Sequence, residues 1–328
     1  MNPGHEEAAG KAGGTAGGAV DADSRGDGLG SGTGNAHGGR LYVVATPIGN
    51  LEDITLRALS VLGTVDVIAA EDTRNTARLL DRHGIGTRML SLHEHNEARR
   101  AQEILRLLEA GRQVALVSDA GTPALSDPGA ILVARLRAAG HAVIPIPGPS
   151  AATAALSVAG LAGTAFHFSG FLPERAAARR AAIAALAAEE ALLVFYESPH
   201  RVLACVEDLA AVLGAGGPQD APPREIVIAR ELTKLFESVH RCPLAEAAAW
   251  LAADPSRVRG EFVLLVTGAP KATGGSTGAD LDRVLKALLA ELPLAQSVKL
   301  ARSITGLRRG EVYARALELT GKAPAAKA

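Results

Sequence analysis

Six short segments gather the residues able to do chemistry: Thr46-Pro47-Ile48-Gly49-Asn50, Glu71-Asp72-Thr73-Arg74, the stretch 118–129, Pro147-Gly148-Pro149-Ser150, Glu197-Ser198-Pro199-His200-Arg201 and Arg230-Glu231-Leu232-Thr233-Lys234. Glu71, Glu94, Glu197 and Glu231 are candidate proton acceptors, and Lys234 is a candidate cation. A lysine serves as a base only where desolvation lowers its pKa, so Lys234 is expected to stabilise negative charge instead. The stretch 118–129 reads Ser-Asp-Ala-Gly-Thr-Pro-Ala-Leu-Ser-Asp-Pro-Gly, longer than the roughly 2 to 6 residues that a strand-to-helix connection needs. Gly121 and Gly129 permit unusual dihedrals or close backbone approach, while Pro123 and Pro128 restrict the chain. This combination predicts a rigid ligand cradle rather than a plain turn.

Blander roles compete at several of these positions. Glu71, Asp72 and Arg74 equally suit a helix cap with an ion pair, and Glu197, His200 and Arg201 suit a second cap. His93-Glu94-His95 invites a metal, yet alternate residues of an extended segment need not converge and no third ligand is evident, so no metal site is expected. Cys205 and Cys242 stand far apart in no CxxC context and read as small apolar residues.

The elements that must position these segments alternate in type. Strands are expected at 41–45, 65–70, 113–117 and 143–147, with helices at 55–62, 73–83, 99–110 and 130–139 between them. Such alternation implies a mostly parallel sheet, whose ligands bind beyond the carboxyl ends of the strands, where the six segments fall. Pro147-Gly148-Pro149 breaks the chain before a helix at 150–161. After it come strands at 166–168, 192–196, 226–229 and 261–266, an Ala-rich helix at 174–190 and another at 202–213. The expected fold class is therefore α/β, with an N-terminal α/β domain at 40–148 and a C-terminal one at 149–270. A Gly/Ala-rich tail at 1–39 has too few large apolar residues to offset its ordering entropy and is expected to be disordered. Beyond a Gly/Thr/Ser linker, 279–322 should be a helix-turn-helix-like module of two helices about Gly306, with Arg308 and Arg309 among its cations. It is either a solvated hairpin or an RNA-contacting appendage.

Composition excludes some classes. The formal net charge of -1 gives no global nucleic-acid signature, though local patches remain open. No apolar run reaches the roughly 20 residues that a membrane span needs, and neither a secretory nor a mitochondrial leader pattern is present, so a cytoplasmic protein is expected. A phosphate-binding loop requires GxxxxGK[ST] and a dinucleotide fold GxGxxG, and the first strand ends instead in Ala45-Thr46-Pro47-Ile48-Gly49.

Eight ordered segments, TPIGNLEDIT, EDTRNT, HEHNE, SDAGTPALSDPG, PIPGPSA, FSGFLP, FYESPHR and ARELTK, carry a resemblance. The chain resembles the ribosomal RNA small-subunit methyltransferase I branch of the tetrapyrrole-methylase superfamily from about residue 40 to 266. The resemblance implies a homodimer with an S-adenosylmethionine cleft between two α/β domains. It also implies 2'-O-methylation of a cytidine in the decoding region of 16S rRNA within the small ribosomal subunit. By motif, the donor would meet Ile48, Gly121, Thr122, Pro123, Leu125, Ser150, Ala151, Tyr196 and Ala229, with the free amides of the helix starting at Ser150 holding polar acceptors. Catalytic roles would fall to Lys234, Glu71 and Glu231, and RNA contacts to Arg74, His93, His95, Arg201, Arg308 and Arg309. Superfamily relatives carry Gly-Asp-Pro where this chain has Gly121-Thr122-Pro123, which weakens any transfer of tetrapyrrole-specific roles. A tetrapyrrole methylase and a non-catalytic ribosome-binding factor are the alternatives.

Overall fold

The computed structural model describes residues 38–161, 163, 165–214, 222–270 and 278–320. The expected tail up to residue 37, residues 215–221 of a polar loop and residues 271–277 of the linker lie outside the described residues. Gly39 already belongs to the fold: its amide donates to Leu108 O at 3.0 Å, and a Cβ there would lie 2.2 Å from Arg112 O.

Strands β1 (Arg40–Val44), β2 (Val67–Ala70), β3 (Met89–Ser91), β4 (Val114–Val117) and β5 (Ala142–Ile146) form a wholly parallel sheet in the order β3-β2-β4-β1-β5. Every residue of β2 and β4 is buried, because helices cover both faces and the strands read as unbroken apolar runs. Helices α1 (Leu56–Thr64) and α2 (Thr73–Arg82) bury Leu62, Leu79 and Leu80 against Val44 and Ile68 on one face. Helices α3 (Glu97–Glu109) and α4 (Ala130–Ala138) bury Ile104, Leu108 and Leu132 against Leu41 and Val67 on the other.

The second half departs from a parallel pattern. After α5 (Ala151–Val158), strands β6 (Phe166–Phe171), β7 (Leu192–Glu197), β8 (Glu225–Arg230), β9 (Ser238–Pro243) and β10 (Phe262–Val266) form a sheet ordered β6-β7-β10-β8-β9. Only the β6–β7 pairing is parallel; β10 runs antiparallel to both neighbours, as does β9 to β8. Strand β9, Ser-Val-His-Arg-Cys-Pro, escapes sequence reading because it is an edge strand with almost no apolar alternation. Helices α6 (Ala176–Ala185), α7 (Val202–Leu213) and α8 (Ala247–Ala252) cover one face. The Ala-rich helix α6 is shorter than composition predicts, since the chain turns at Leu186–Ala187 to enter β7.

A β-bulge interrupts β6. Phe168 pairs with Val194, Gly170 with Phe195 and Phe171 with Tyr196, so Ser169 is an extra residue. The C-terminal module has three helices rather than two, α9 (Gly278–Glu291), α10 (Leu294–Thr305) and α11 (Arg309–Leu319), around a core of Leu281, Leu285, Val298, Ala301, Val312 and Ala316. Pro293 separates the first two, and Gly306 at φ +69° ends the second. Among the described residues, no helix is long and apolar enough to cross a membrane.

Candidate active site

The loops leaving β1 and β4 are locked together. Thr46 and Gly121 exchange both backbone hydrogen bonds, at 2.8 and 3.0 Å, and Thr46 Oγ1 donates to Ser118 O at 3.1 Å. Thr122 Oγ1 donates to Pro149 O at 3.2 Å, tying the long loop to the segment ahead of α5. The loop follows a costly path, with Gly121 and Gly129 and also Ala124 and Ser126 at positive φ. Its far end is held by Glu97, a buried carboxylate that accepts from the amides of Gly129 and Leu132 at 3.0 Å each and so caps α4. Glu97 is the last residue of the HEHNE motif, and this capping is the motif's structural contribution.

Beneath the loop opens a cleft of about 380 Å³ between the carboxyl ends of the first sheet's strands and the edge of the second sheet where β7 and β8 end and β10 begins. Ile48, Gly121, Thr122 and Leu125 line it from the first half, and Ala151, Tyr196, Ala229, Leu232 and Val263 from the second. Seven of the nine expected donor-binding positions therefore converge. Pro123 and Ser150 do not line the cleft: Pro123 is buried within the loop and Ser150 is the residue that opens α5. The α5 amides also need a correction. Ala152 N donates to Tyr196 Oη at 3.2 Å, so a tyrosine from β7 already takes one of the donors expected for a ligand. Burial pushes this phenol's pKa up.

Three carboxylates face one another at the first sheet's side of the cleft: Glu71, Asp119 and Asp127. Asp119 accepts from Asp72 N at 3.0 Å and Asn75 Nδ2 at 2.9 Å, which fixes it to the start of α2. Burial pushes Glu71 up, opposed by a hydrogen bond from the Asp119 amide. Burial likewise pushes Asp127 up, to about 6, with Glu71 and Asp119 adding repulsion and a Ser118 hydrogen bond opposing. Sequence reading does not single out Asp127, because an aspartate in a Ser-Asp-Pro-Gly string reads equally as turn chemistry or as catalysis; only packing separates the two. The cap reading of the neighbouring residues holds. Asp72 caps α2 and pairs with Arg74 at 2.6 Å, which lowers the Asp72 pKa to about 2.

An ion cluster stands behind the opposite wall, and of its three members only Glu261 lines the cleft. Lys234 Nζ bonds Glu231 at 2.9 Å and Glu261 at 2.6 Å, and Glu231 also accepts from Glu261 N at 2.9 Å. Burial would raise the Glu231 pKa, but these hydrogen bonds outweigh it and lower it; for Lys234 burial is likewise outweighed and the pKa rises. Glu231 is thus a weaker proton acceptor than a free glutamate, and Lys234 is held in its cationic form. Neither lines the cleft directly. The turn is wound tightly, with Glu231 at φ +51° and Thr233 at φ +66°. It abuts the first loop: a Cβ on Gly49 would lie 2.5 Å from Lys234 Cγ, and Asn50 N donates to Thr233 Oγ1 at 3.0 Å.

Other expectations fall elsewhere. Glu197 borders the cleft, but strand alternation turns its side chain away from Tyr196 into the α7 core, where it is buried 3.3 Å from Arg201 Nε. Arg201 also donates to Leu172 O at 2.5 Å, so it is an internal tie rather than a free RNA contact. Glu94, His93 and His95 are exposed on a turn outside the cleft, the two imidazoles edge-on at 6.0 Å, and among the described residues no group of three His, Cys, Asp or Glu side chains is arranged to hold a metal ion. Arg74, Arg308 and Arg309 are exposed and take no part in the cleft lining.

The profile of the family described as Tetrapyrrole (Corrin/Porphyrin) Methylases matches residues 40–248, and that of the RsmI C-terminal HTH domain matches residues 276–320. A ribosomal RNA small subunit methyltransferase I from Escherichia coli O157:H7 is 50% identical, covering 86% of this chain and 96% of the relative. One from Pseudomonas aeruginosa is 48% identical over 87% and 99%. The chain belongs to the ribosomal RNA small subunit methyltransferase I family. Among solved structures, the methyltransferase CobJ superposes with a TM-score of 0.53 at 22% identity, over 70% of this chain and 95% of that one. Diphthine synthase gives 0.53 at 15% identity, over 70% and 90%. At such identities these neighbours establish the fold alone. The two-sheet architecture with a C-terminal helical module is the fold class expected from the sequence, with three helices in the module in place of two.

Proposed function

We propose that this chain transfers the methyl group of S-adenosylmethionine to the 2'-hydroxyl of a cytidine in the decoding region of 16S rRNA. The observation that carries this reading is the pinned loop 118–129, which forms one wall of a cleft between the two sheets in a chain whose relative aligns over 86% of its length. Ile48, Gly121, Thr122, Leu125, Ala151, Tyr196 and Ala229 would hold the donor, with Pro123 and Ser150 shaping the backbone behind them. The fit is chemical: buried apolar walls suit an adenosine, and Glu71, Asp119 and Asp127 suit a positive sulfonium. When bound, the donor supplies an electrophilic methyl carbon.

The chain's own contribution is alignment and proton handling. Holding the acceptor oxygen in line at roughly 3 Å supplies most of the acceleration in such displacements. The hydroxyl proton passes to a carboxylate on the cleft, Asp127 or Glu71, whose raised pKa brings it closer to neutral. Lys234, Glu231 and Glu261 fix the opposing turn. Arg74, Arg308 and Arg309, with His93 and His95, provide the exposed surface for RNA phosphates. The proposal extends to two α/β domains at 40–148 and 149–270, a module at 279–322, a homodimer and a cytoplasmic location.

The test is to offer labelled donor and the purified protein to small ribosomal subunits from a strain deleted for the corresponding gene, then map the labelled nucleoside. Label in a 2'-O-methylcytidine is expected. Label only in an added porphyrinoid would establish the small-molecule alternative, and binding without label the non-catalytic one.

A further inference from the structure

The bulge in β6 reshapes the rim of the cleft. In an uninterrupted strand Phe171 would face the opposite side from Phe168. The extra residue at Ser169 inverts that parity, so Phe168 and Phe171 both join the face of Val194 and Tyr196. Gly170 makes the inversion possible at φ +63°, pressed so closely on the long loop that a Cβ would lie 2.5 Å from Ser126 Oγ. The Tyr196 ring then holds both phenylalanines edge-on, Phe168 at 4.9 Å and Phe171 at 5.7 Å, with its hydroxyl fixed to Ala152 N. Phe168 completes an apolar cluster behind the cleft. Phe171 remains 54% exposed on the cleft lining, a braced aromatic surface open to solvent at the rim.

We propose that Phe171 is the platform on which the base of the acceptor nucleotide stacks after leaving the RNA helix, placing its ribose toward the carboxylates of the cleft. This rests on the RNA-methylating reading of the same site. A cleft of about 380 Å³ that also takes the donor cannot admit a duplex, so an acceptor must present a single unstacked nucleotide at its rim. The buried apolar walls at Ile48, Ala229 and Val263 lie within the cleft and suit the donor, leaving the exposed ring for the ligand that comes from solvent. Aromatic stacking needs no cation, which matters where the facing groups are carboxylates.

The experiment compares wild type with Phe171→Leu and Phe171→Trp on methyl-deficient small subunits, measuring acceptor KM, kcat and the Kd of S-adenosylhomocysteine. Phe171→Leu is expected to raise acceptor KM about 10-fold or more, corresponding to ~1.4 kcal/mol, with the Kd for S-adenosylhomocysteine within about 2-fold. Phe171→Trp should stay near wild type, a rescue that loss of packing alone would not give. A fluorescent pyrimidine at the target position should be quenched on binding to wild type and not to Phe171→Leu. An unchanged acceptor KM in Phe171→Leu overturns the proposal, and so does a loss that follows weakened S-adenosylhomocysteine binding, since the ring would then serve the donor. A wild-type protein that methylates no RNA would instead remove the functional reading beneath it.

Discussion

Thr46 and Gly121 exchange both of their backbone hydrogen bonds across two loops far apart in the chain, and Gly121 does so at φ +81°. A side chain at 121 would strain that dihedral by about 1–2 kcal/mol while meeting Ile48 Cγ2 only at ordinary contact distance. Gly121→Ala is therefore expected to fold, with S-adenosylhomocysteine affinity reduced roughly 10-fold as the loop shifts. Calorimetric titration beside far-ultraviolet circular dichroism checks this; unchanged affinity would show that the bridge is not part of the donor cradle.

Asp127 ties activity to pH. Its folded pKa of about 6 lies above the ordinary carboxylate value, so the proton-accepting form grows as pH rises through 6. Single-turnover methylation should rise along that limb, and Asp127→Asn should abolish the limb and most of the rate. Linkage gives a second sign. A raised folded pKa means that this group favours the folded state below the unfolded pKa and loses that contribution as pH rises through about 6. Asp127→Asn should thus melt higher than wild type at pH 8, by roughly 2–4 °C for each ~1 kcal/mol gained. A variant that loses activity without gaining stability would argue for a structural role.

Lys234 is expected to act through its two carboxylate partners. Lys234→Met strips Glu231 of its cation, whereas Lys234→Arg keeps a charge. The methionine variant should lose activity at least about 10-fold more than the arginine variant, with neither removing the limb near pH 6. If Lys234→Met alone erased that limb, lysine would be the proton acceptor after all.

The arginines divide by environment. Arg201→Ala leaves the buried Glu197 without its partner and should destabilise the fold by about 3 kcal/mol in denaturant titration. Arg308→Ala and Arg309→Ala should leave stability within about 0.5 kcal/mol, yet each should reduce the salt-dependence slope of RNA binding by about 1. Equal slopes for all variants would place the RNA surface elsewhere.

Much of this organisation is legible in the sequence. The apolar runs at β1, β2 and β4 announce buried parallel strands, and the Gly/Pro string at 118–129 announces the cradle. What escapes reading depends on distant partners. Strand β9 exists because β8 offers an edge, not because its own residues favour a strand. Glu197 and Tyr196 are adjacent in sequence, and only the pleat sends one to the core and the other to the cleft. Glu231 reads as a candidate proton acceptor until Lys234 and the Glu261 amide fold onto it. Asp127 acquires its raised pKa from burial beside Glu71 and Asp119, which the ends of β2 and β4 bring together.

Gly49 leaves no room for a Cβ against Lys234, and Asn50 is bonded to Thr233. The two sheets are consequently stitched at this corner by a contact that would have to tear for them to swing apart as a hinge. A ligand that enters past Leu125 and Phe171, the large apolar residues of the lining that stay exposed, therefore leaves this corner intact.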